Sequence, residues 1–280
     1  MKEKHIVAGL LFICCAGLVA LLAFKGFNKP VKTLNDSQAE ERFDADFNQI
    51  ITTAKNQLGG FEKSFVNEHI GLFKNNDTAQ AFAAGRMLTR FWDSLQRYDI
   101  SGYYYYEMAQ RNGTEFNFMN AAQRFLDHGR NLESPKEHKF YVAKAKEGFQ
   151  KALEINPGNL DAKTGYAICV VDNPQNTMTG VIMLRDTVLK ADSTHLWANY
   201  ELGLLQIKSN QLPKALATFK KLISLQPLNG NWYLHLADIE HKMGNKEMAI
   251  LYYEKAKGLT PDDETRKSIE GVIKSLKNEH

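Results

Sequence analysis

The chain has 280 residues, of which 24% are charged, and its formal net charge at pH 7 is +3. Its basic residues are scattered among acidic ones, which excludes the basic patch or stripe typical of nucleic-acid binding. Cys14 and Cys15 lie near the amino end, and Cys169 stands alone in the rest of the chain. The body therefore has no intramolecular disulfide framework, and we predict that Cys169 is a small buried hydrophobe.

An uncharged run of 19 residues extends from Ile6 to Phe24. A helix of this length measures roughly 28 Å, which is enough to cross a hydrocarbon core of about 30 Å. We predict one membrane span at 6–24, within an anchor region 1–32. A cleaved signal peptide and a lipoprotein signal are the alternatives. The first lacks a small-x-small cleavage site near Ala20 or Ala23, and the second would use a cysteine in the middle of the run.

Basic residues flank both sides of this run, so the positive-inside bias does not fix its orientation. They are Lys2 and Lys4 before it, and Lys25, Lys29 and Lys32 after it. The leading tail is very short, which favours a cytoplasmic tail. We therefore predict a single-pass membrane protein whose body lies on the non-cytoplasmic side.

The segment 33–77 carries an apolar stripe with helical spacing. The stripe consists of Phe43, Phe47, Ile50, Ala54 and Leu58. We predict one helix here and a second, short one from Phe61 to Phe73. The stripe must be covered by the first repeat, by another protomer in a homo-oligomer, or by a partner protein.

Two stretches of the chain match each other at an offset of 34 residues. Leu202, Ala215, Phe219, Leu222 and Pro227 recur as Leu236, Ala249, Tyr253, Ala256 and Pro261. A fixed period of this size indicates a solenoid, in which each unit buries its apolar face against its neighbours. The spacing of Ala215, Phe219 and Leu222 places them on one helical stripe, and a proline then stops that helix.

The repeat pattern extends in both directions, and we predict an array over 78–263. The best units are 196–229 and 230–263, and another lies around 115–159, where Ala145, Phe149, Ala152 and Pro157 repeat the pattern. The unit from Leu160 to Ser193 loses the small and aromatic residues of its second helix. Residues 264–280 are predicted to form a capping helix.

These residues resemble the tetratricopeptide repeat (TPR), a 34-residue helix-turn-helix unit. The resemblance is carried by Leu202-Gly203, Ala215, Phe219 and Pro227, and by Tyr233, Leu236-Ala237, Gly244, Ala249, Tyr253, Ala256 and Pro261. It implies an all-α fold, a TPR-like α-solenoid built as a superhelix of antiparallel helix pairs and here preceded by one transmembrane helix.

In TPR proteins the first helix of each unit lines a concave groove that receives a peptide or a helix. The resemblance therefore implies groove residues Trp197, Tyr200, Leu204, Ile207, Lys208, Asn231, Asp238, His241 and Lys242. Periodicity alone leaves open whether the four apolar members are core. Lys208, Asn231 and Lys242 make an incomplete clamp for a terminal carboxylate, so we expect an apolar or helical ligand.

No catalytic or metal-binding pattern is found: the eight histidines show no HxxxH pair, and Gly-rich phosphate loops and GxSxG elbows are absent. We predict a protein that is not an enzyme, has no cofactor and binds other proteins. The favoured function is a membrane-tethered interaction scaffold. The alternative is an assembly factor similar to the membrane-anchored TPR subunits of cytochrome c biogenesis.

Overall fold

The computed structural model describes residues 47–278, and the chain divides into two compact units between Asn56 and Gln57. Residues 47–56 are helical, and Phe47, Ile51 and Ala54 are buried within the chain. The predicted span 6–24 lies outside the described residues. Among the helices between 47 and 278, none is both long enough and apolar enough to cross a bilayer.

The second unit consists of helices joined by short turns, and its described residues contain no strand. The helices are α1 (Gly60–Phe73), α2 (Thr78–Ser94), α3 (Tyr98–Asn112), α4 (Glu115–Arg130), α5 (Pro135–Ile155), α6 (Leu160–Val171), α7 (Thr177–Ile182), a π-helix (Met183–Val188), α8 (Leu189–Ala191), α9 (Leu196–Lys208), α10 (Leu212–Leu225), α11 (Gly230–Lys242), α12 (Lys246–Leu259) and α13 (Asp263–Asn278). The predicted all-helical solenoid is confirmed.

Five helix pairs follow one another from α2 to α12, and each first helix has a buried small residue at its eighth position. These residues are Gly85, Ala122, Ala167, Gly203 and Ala237. A Cβ atom on Gly203 would lie 2.8 Å from the ring of Phe219 on α10. The small residue thus lets the second helix of a pair approach closely enough to place its large side chain against the first.

The predicted apolar stripes of the second helices are buried. Ala145, Phe149 and Ala152 on α5, Ala215, Phe219 and Leu222 on α10, and Ala249, Tyr253 and Ala256 on α12 all lie in the core. These three helices end just before Pro157, Pro227 and Pro261, which cannot continue an α-helix because proline lacks the amide donor.

The third pair departs from the regular period. Its first helix begins at Leu160 and the next begins at Leu196, 36 residues later, whereas α9 and α11 begin 34 residues apart, at Leu196 and Gly230. A longer turn after α6 and the π-helix Met183–Val188 take up the extra length. This irregularity explains why the TPR pattern weakens over residues 160–193.

Helix α13 covers the end of the array. Ile269, Ile273 and Leu276 are buried in one cluster with Tyr253 and other residues of α12, while Val272 is 38% exposed. The remaining face of α13 is polar, as a terminal repeat requires to stay in water.

Candidate functional site

We call the predicted groove surface the α9/α11 face, made of Trp197, Tyr200, Leu204, Ile207 and Lys208 on α9 with Asn231, Asp238, His241 and Lys242 on α11. The structure divides it into two layers. The four apolar residues of α9 are half-buried, and the five polar residues are exposed.

Trp197 packs backwards along the array. Its indole Nε1 donates a hydrogen bond of 3.1 Å to Glu201, and its ring centroid lies 6.1 Å from that of Phe149 on α5. One edge of this side chain therefore belongs to the packing between pairs, and only the rest is open to a partner.

Tyr200 packs forwards onto the last pair. Its ring centroid lies 5.2 Å from that of Trp232 and 5.6 Å from that of His235, both on α11. Leu204 and Ile207 contact the core cluster around Phe219. These side chains are half-buried and form an apolar floor. They are neither fully exposed groove residues nor fully buried core residues, the two possibilities that periodicity left open.

His235 lies under this floor, with its ring 4.6 Å from that of Phe219. Burial lowers the pKa of His235, against the opposing effect of Asp238. The imidazole is therefore held in its neutral, apolar-compatible form.

The polar layer contains two cations without an ion pair among residues 47–278, Lys208 and Lys242. Asp238 accepts a hydrogen bond from Tyr253, and burial and this carboxylate raise the pKa of the Tyr253 hydroxyl. Asn231 and His241 are also exposed, at the second and twelfth positions of α11. The layer thus offers two lysine charges, one carboxylate and one side-chain amide above an apolar floor.

The equivalent face of α6 is closed. Thr164 and Ile168 are buried, Asp161 pairs with His195 at 3.2 Å, and Asp172 pairs with His138 at 2.8 Å. The middle of the array therefore presents no apolar floor to a partner.

His138 connects three helices near this closed face. One ring nitrogen lies 2.8 Å from the carbonyl oxygen of Gly129 at the end of α4, and the other lies 2.8 Å from a carboxylate oxygen of Asp172. Burial opposes protonation, but these two acceptors raise the pKa of His138 overall. Since both partners only accept, the imidazolium form satisfies both contacts.

Sequence analysis missed two features of this region. Arg130 on α4 forms a bidentate ion pair with Glu201 on α9, which lies 71 residues further along the chain. Phe116, 68% exposed, occupies the second position of α4, where α9 has Trp197 and α11 has Asn231. Aligning the helix starts would have revealed Phe116, but no sequence pattern marks the ion pair.

Cys169 is buried and free, and burial raises the pKa of its thiol to about 12. The prediction of a small buried hydrophobe is confirmed. The described residues contain no group of three or more His, Cys, Asp or Glu side chains placed to hold a metal ion.

The array of five helix pairs defines the class of the protein, which is a helical-repeat protein. Residues 233–263 match the model of the tetratricopeptide repeat. Among solved structures, the chain is similar to a thermophilic TPR protein of Thermus thermophilus, with 18% identity, a TM-score of 0.53, and coverage of 68% of this chain and 95% of that one. The TPR resemblance is confirmed, and a likeness at this identity shows the fold alone.

Two further similarities are weaker. MamA of Desulfovibrio magneticus RS-1, from residue 41 to its end, is 18% identical, with a TM-score of 0.47 and coverage of 66% of this chain and 96% of that one. Superkiller protein 3 of Schizosaccharomyces pombe is 24% identical over 127 residues, which are 44% of this chain and 9% of that protein. The chain thus aligns with about a tenth of that relative's length.

Proposed function

We propose that this chain is a membrane-tethered interaction scaffold that binds a peptide or helix of a partner protein on the α9/α11 face. The observation that carries the proposal is the contrast between this face and that of α6. Along α6 the corresponding Thr164 and Ile168 are buried, and the flanking carboxylates Asp161 and Asp172 are paired with His195 and His138. On α9 and α11, by contrast, an apolar floor lies beneath exposed polar residues. Proteins of the TPR type generally act by binding other proteins, which supports the same conclusion.

The chemistry of the face suggests the character of the ligand. Aromatic side chains such as Trp197 and Tyr200 give large contact area and carry a disproportionate share of interface energy, about 2 kcal/mol or more each in favourable cases. Lys208 and Lys242 add positive charge at the rim. The ligand that fits is an apolar or amphipathic segment with acidic residues beside its apolar positions.

The tether rests on the uncharged run 6–24 and on its length. A membrane span of this kind holds a protein more firmly than a single lipid chain. The protein should therefore stay in the membrane fraction through carbonate washing. An intact mass showing that the chain begins beyond Phe24 would contradict the tether while leaving the interaction proposal untouched.

The binding test uses charge reversal at exposed positions, because Trp197 and Tyr200 contribute to packing. Residues 33–280 carrying Lys208→Glu and Lys242→Glu should lose a specific partner in affinity capture with mass spectrometry. The matched control is Lys220→Glu with Lys255→Glu, which makes the same net change at exposed positions of α10 and α12.

A partner lost from the rim variant and retained by the control supports the proposal. Equal capture by both variants contradicts it. A captured partner containing a Cys-x-x-Cys-His haem-attachment sequence would instead favour the assembly-factor alternative.

A further inference from the structure

Two side-chain contacts join the second helix pair to the fourth and bypass the third. Arg130, the last residue of α4, donates two hydrogen bonds to the Glu201 carboxylate, of 2.9 Å from Nη1 and 2.7 Å from Nη2. The rings of Phe149 on α5 and Trp197 on α9 also meet. In an ordinary solenoid each unit contacts only its neighbours, so these contacts are an exception to the architecture.

The bypass is possible because α6 is a slender helix. A Cβ atom on Gly165 would lie 2.2 Å from the ring of Phe149, so this ring rests directly on the α6 backbone. Ala162, Thr164 and Ala167 on the same helix are also small and fully buried. Side chains of the second pair therefore pass α6 and reach α9.

The geometry around Glu201 is specific. Its side chain is 6% exposed, and it accepts hydrogen bonds from the planar guanidinium of Arg130 and from the indole of Trp197. A bidentate pair fixes orientation as well as distance, and a buried carboxylate cannot move without leaving its donors. The position of Trp197 is thus linked through one carboxylate to the end of α4.

We propose that Arg130 is a positioning residue for the α9/α11 face: by holding Glu201 it fixes Trp197 and couples α4 to α9 across the third pair. This coupling belongs to the chain itself and does not depend on which partner binds. Through this coupling, the last turn of α4 helps to set the position of Trp197 on the α9/α11 face.

The test is amide hydrogen exchange with mass spectrometry on the full chain in membrane-mimetic solution. Arg130→Gln should speed exchange in peptides covering 196–208 by fivefold or more, and Glu201→Gln should do the same at the end of α4. The matched control is Arg124→Gln. Arg124 forms a comparable pair with Asp93 at 2.7 Å, between α4 and α2 of adjacent pairs.

Arg124→Gln should speed exchange in α2 and α4 and leave α9 unchanged. The exchanged pair Arg130→Glu with Glu201→Arg should bring exchange at the end of α4 back towards the wild-type rate. It should restore α9 only in part, because an arginine at position 201 cannot accept the Trp197 hydrogen bond. If Arg130→Gln fails to fold, Arg130→Lys keeps the charge but cannot donate two parallel hydrogen bonds, so it should give a smaller increase in α9. Unchanged exchange in α9 in a folded Arg130 variant overturns the proposal.

Discussion

The first helices of the third and the last helix pairs begin in the same way, but α6 presents a buried face and α11 presents an exposed one. Asn159 and Asn229 cap the first helix of each pair, and Ala167 and Ala237 lie at the same eighth position. In α6, however, Ile168 at the ninth position is buried, whereas its counterpart Asp238 in α11 is exposed. One backbone plan can therefore give a closed or an open face.

The difference comes from side-chain size rather than from the helix pair as such. The small Thr164 and Gly165 of α6 let side chains of the second pair pass it, whereas α9 has the larger Tyr200 and Glu201 at the same fifth and sixth positions. Side-chain volume at these two positions thus decides whether neighbouring pairs can reach past the first helix.

The largest expected effect concerns the open end of the array. Deleting residues 264–280 removes the buried Ile269, Ile273 and Leu276 and should cost about 5 kcal/mol of unfolding free energy, since each such side chain contributes about 1.5–3 kcal/mol. Denaturant melts of the body measure this. Val272→Ala, at an exposed position of the same helix, should change the midpoint little. A truncated chain with an unchanged melt would show that α13 does not stabilise the last pair.

The closed middle should be sensitive to a single methyl group. Gly165→Ala places a Cβ atom 2.2 Å from the Phe149 ring and should destabilise the fold by about 2 kcal/mol through overpacking. Gly258→Ala on α12 meets nothing within 4 Å and should instead stabilise by about 0.5–1 kcal/mol, because alanine is the better helix former. Equal effects of the two variants would mean that Phe149 moves aside freely.

The pH dependence of the closed region should follow His138. The pKa of His138 is raised in the folded state. Its stabilising contribution is therefore fully present below the unfolded-state pKa of about 6.5, and it is lost as the pH rises through the folded-state pKa. His138→Gln should therefore lower the melting temperature by about 2–4 °C at pH 5.5 and by less at pH 8.5.

The control for this prediction is His241→Gln. The His241 imidazole is exposed and makes no hydrogen bond among the described residues, so its variant should show no such pH-dependent loss. If His138→Gln lowers the melting temperature by the same amount at pH 5.5 and pH 8.5, the proposed role of the imidazolium is contradicted.

The smallest effect is expected at Phe116. Because this side chain is 68% exposed, Phe116→Ser should change the unfolding free energy by less than about 0.5 kcal/mol. Phe118→Ser, two residues away and 6% exposed, should cost several times more. A large loss in the Phe116 variant would place this residue in the packing and extend the closed surface to α4.

The sequence predicted the features that repeat and missed those that occur once. The small residues, the apolar stripes and the proline stops recur at a fixed spacing, so they could be recognised without coordinates. The contact between Arg130 and Glu201 joins residues 71 apart and has no counterpart elsewhere in the described array. The π-helix likewise interrupts the pattern, and sequence analysis registered it only as a weak repeat.

The small side chains of α6 also limit which helix pairs could replace one another through duplication of a repeat. Gly165 and Glu201 occupy the same sixth position in their respective helices. A duplicated fourth pair inserted in place of the third would put a glutamate beneath the Phe149 ring and shorten the array by about two residues. The third and fourth helix pairs are therefore not interchangeable, because the third must leave room for contacts between the pairs on either side of it.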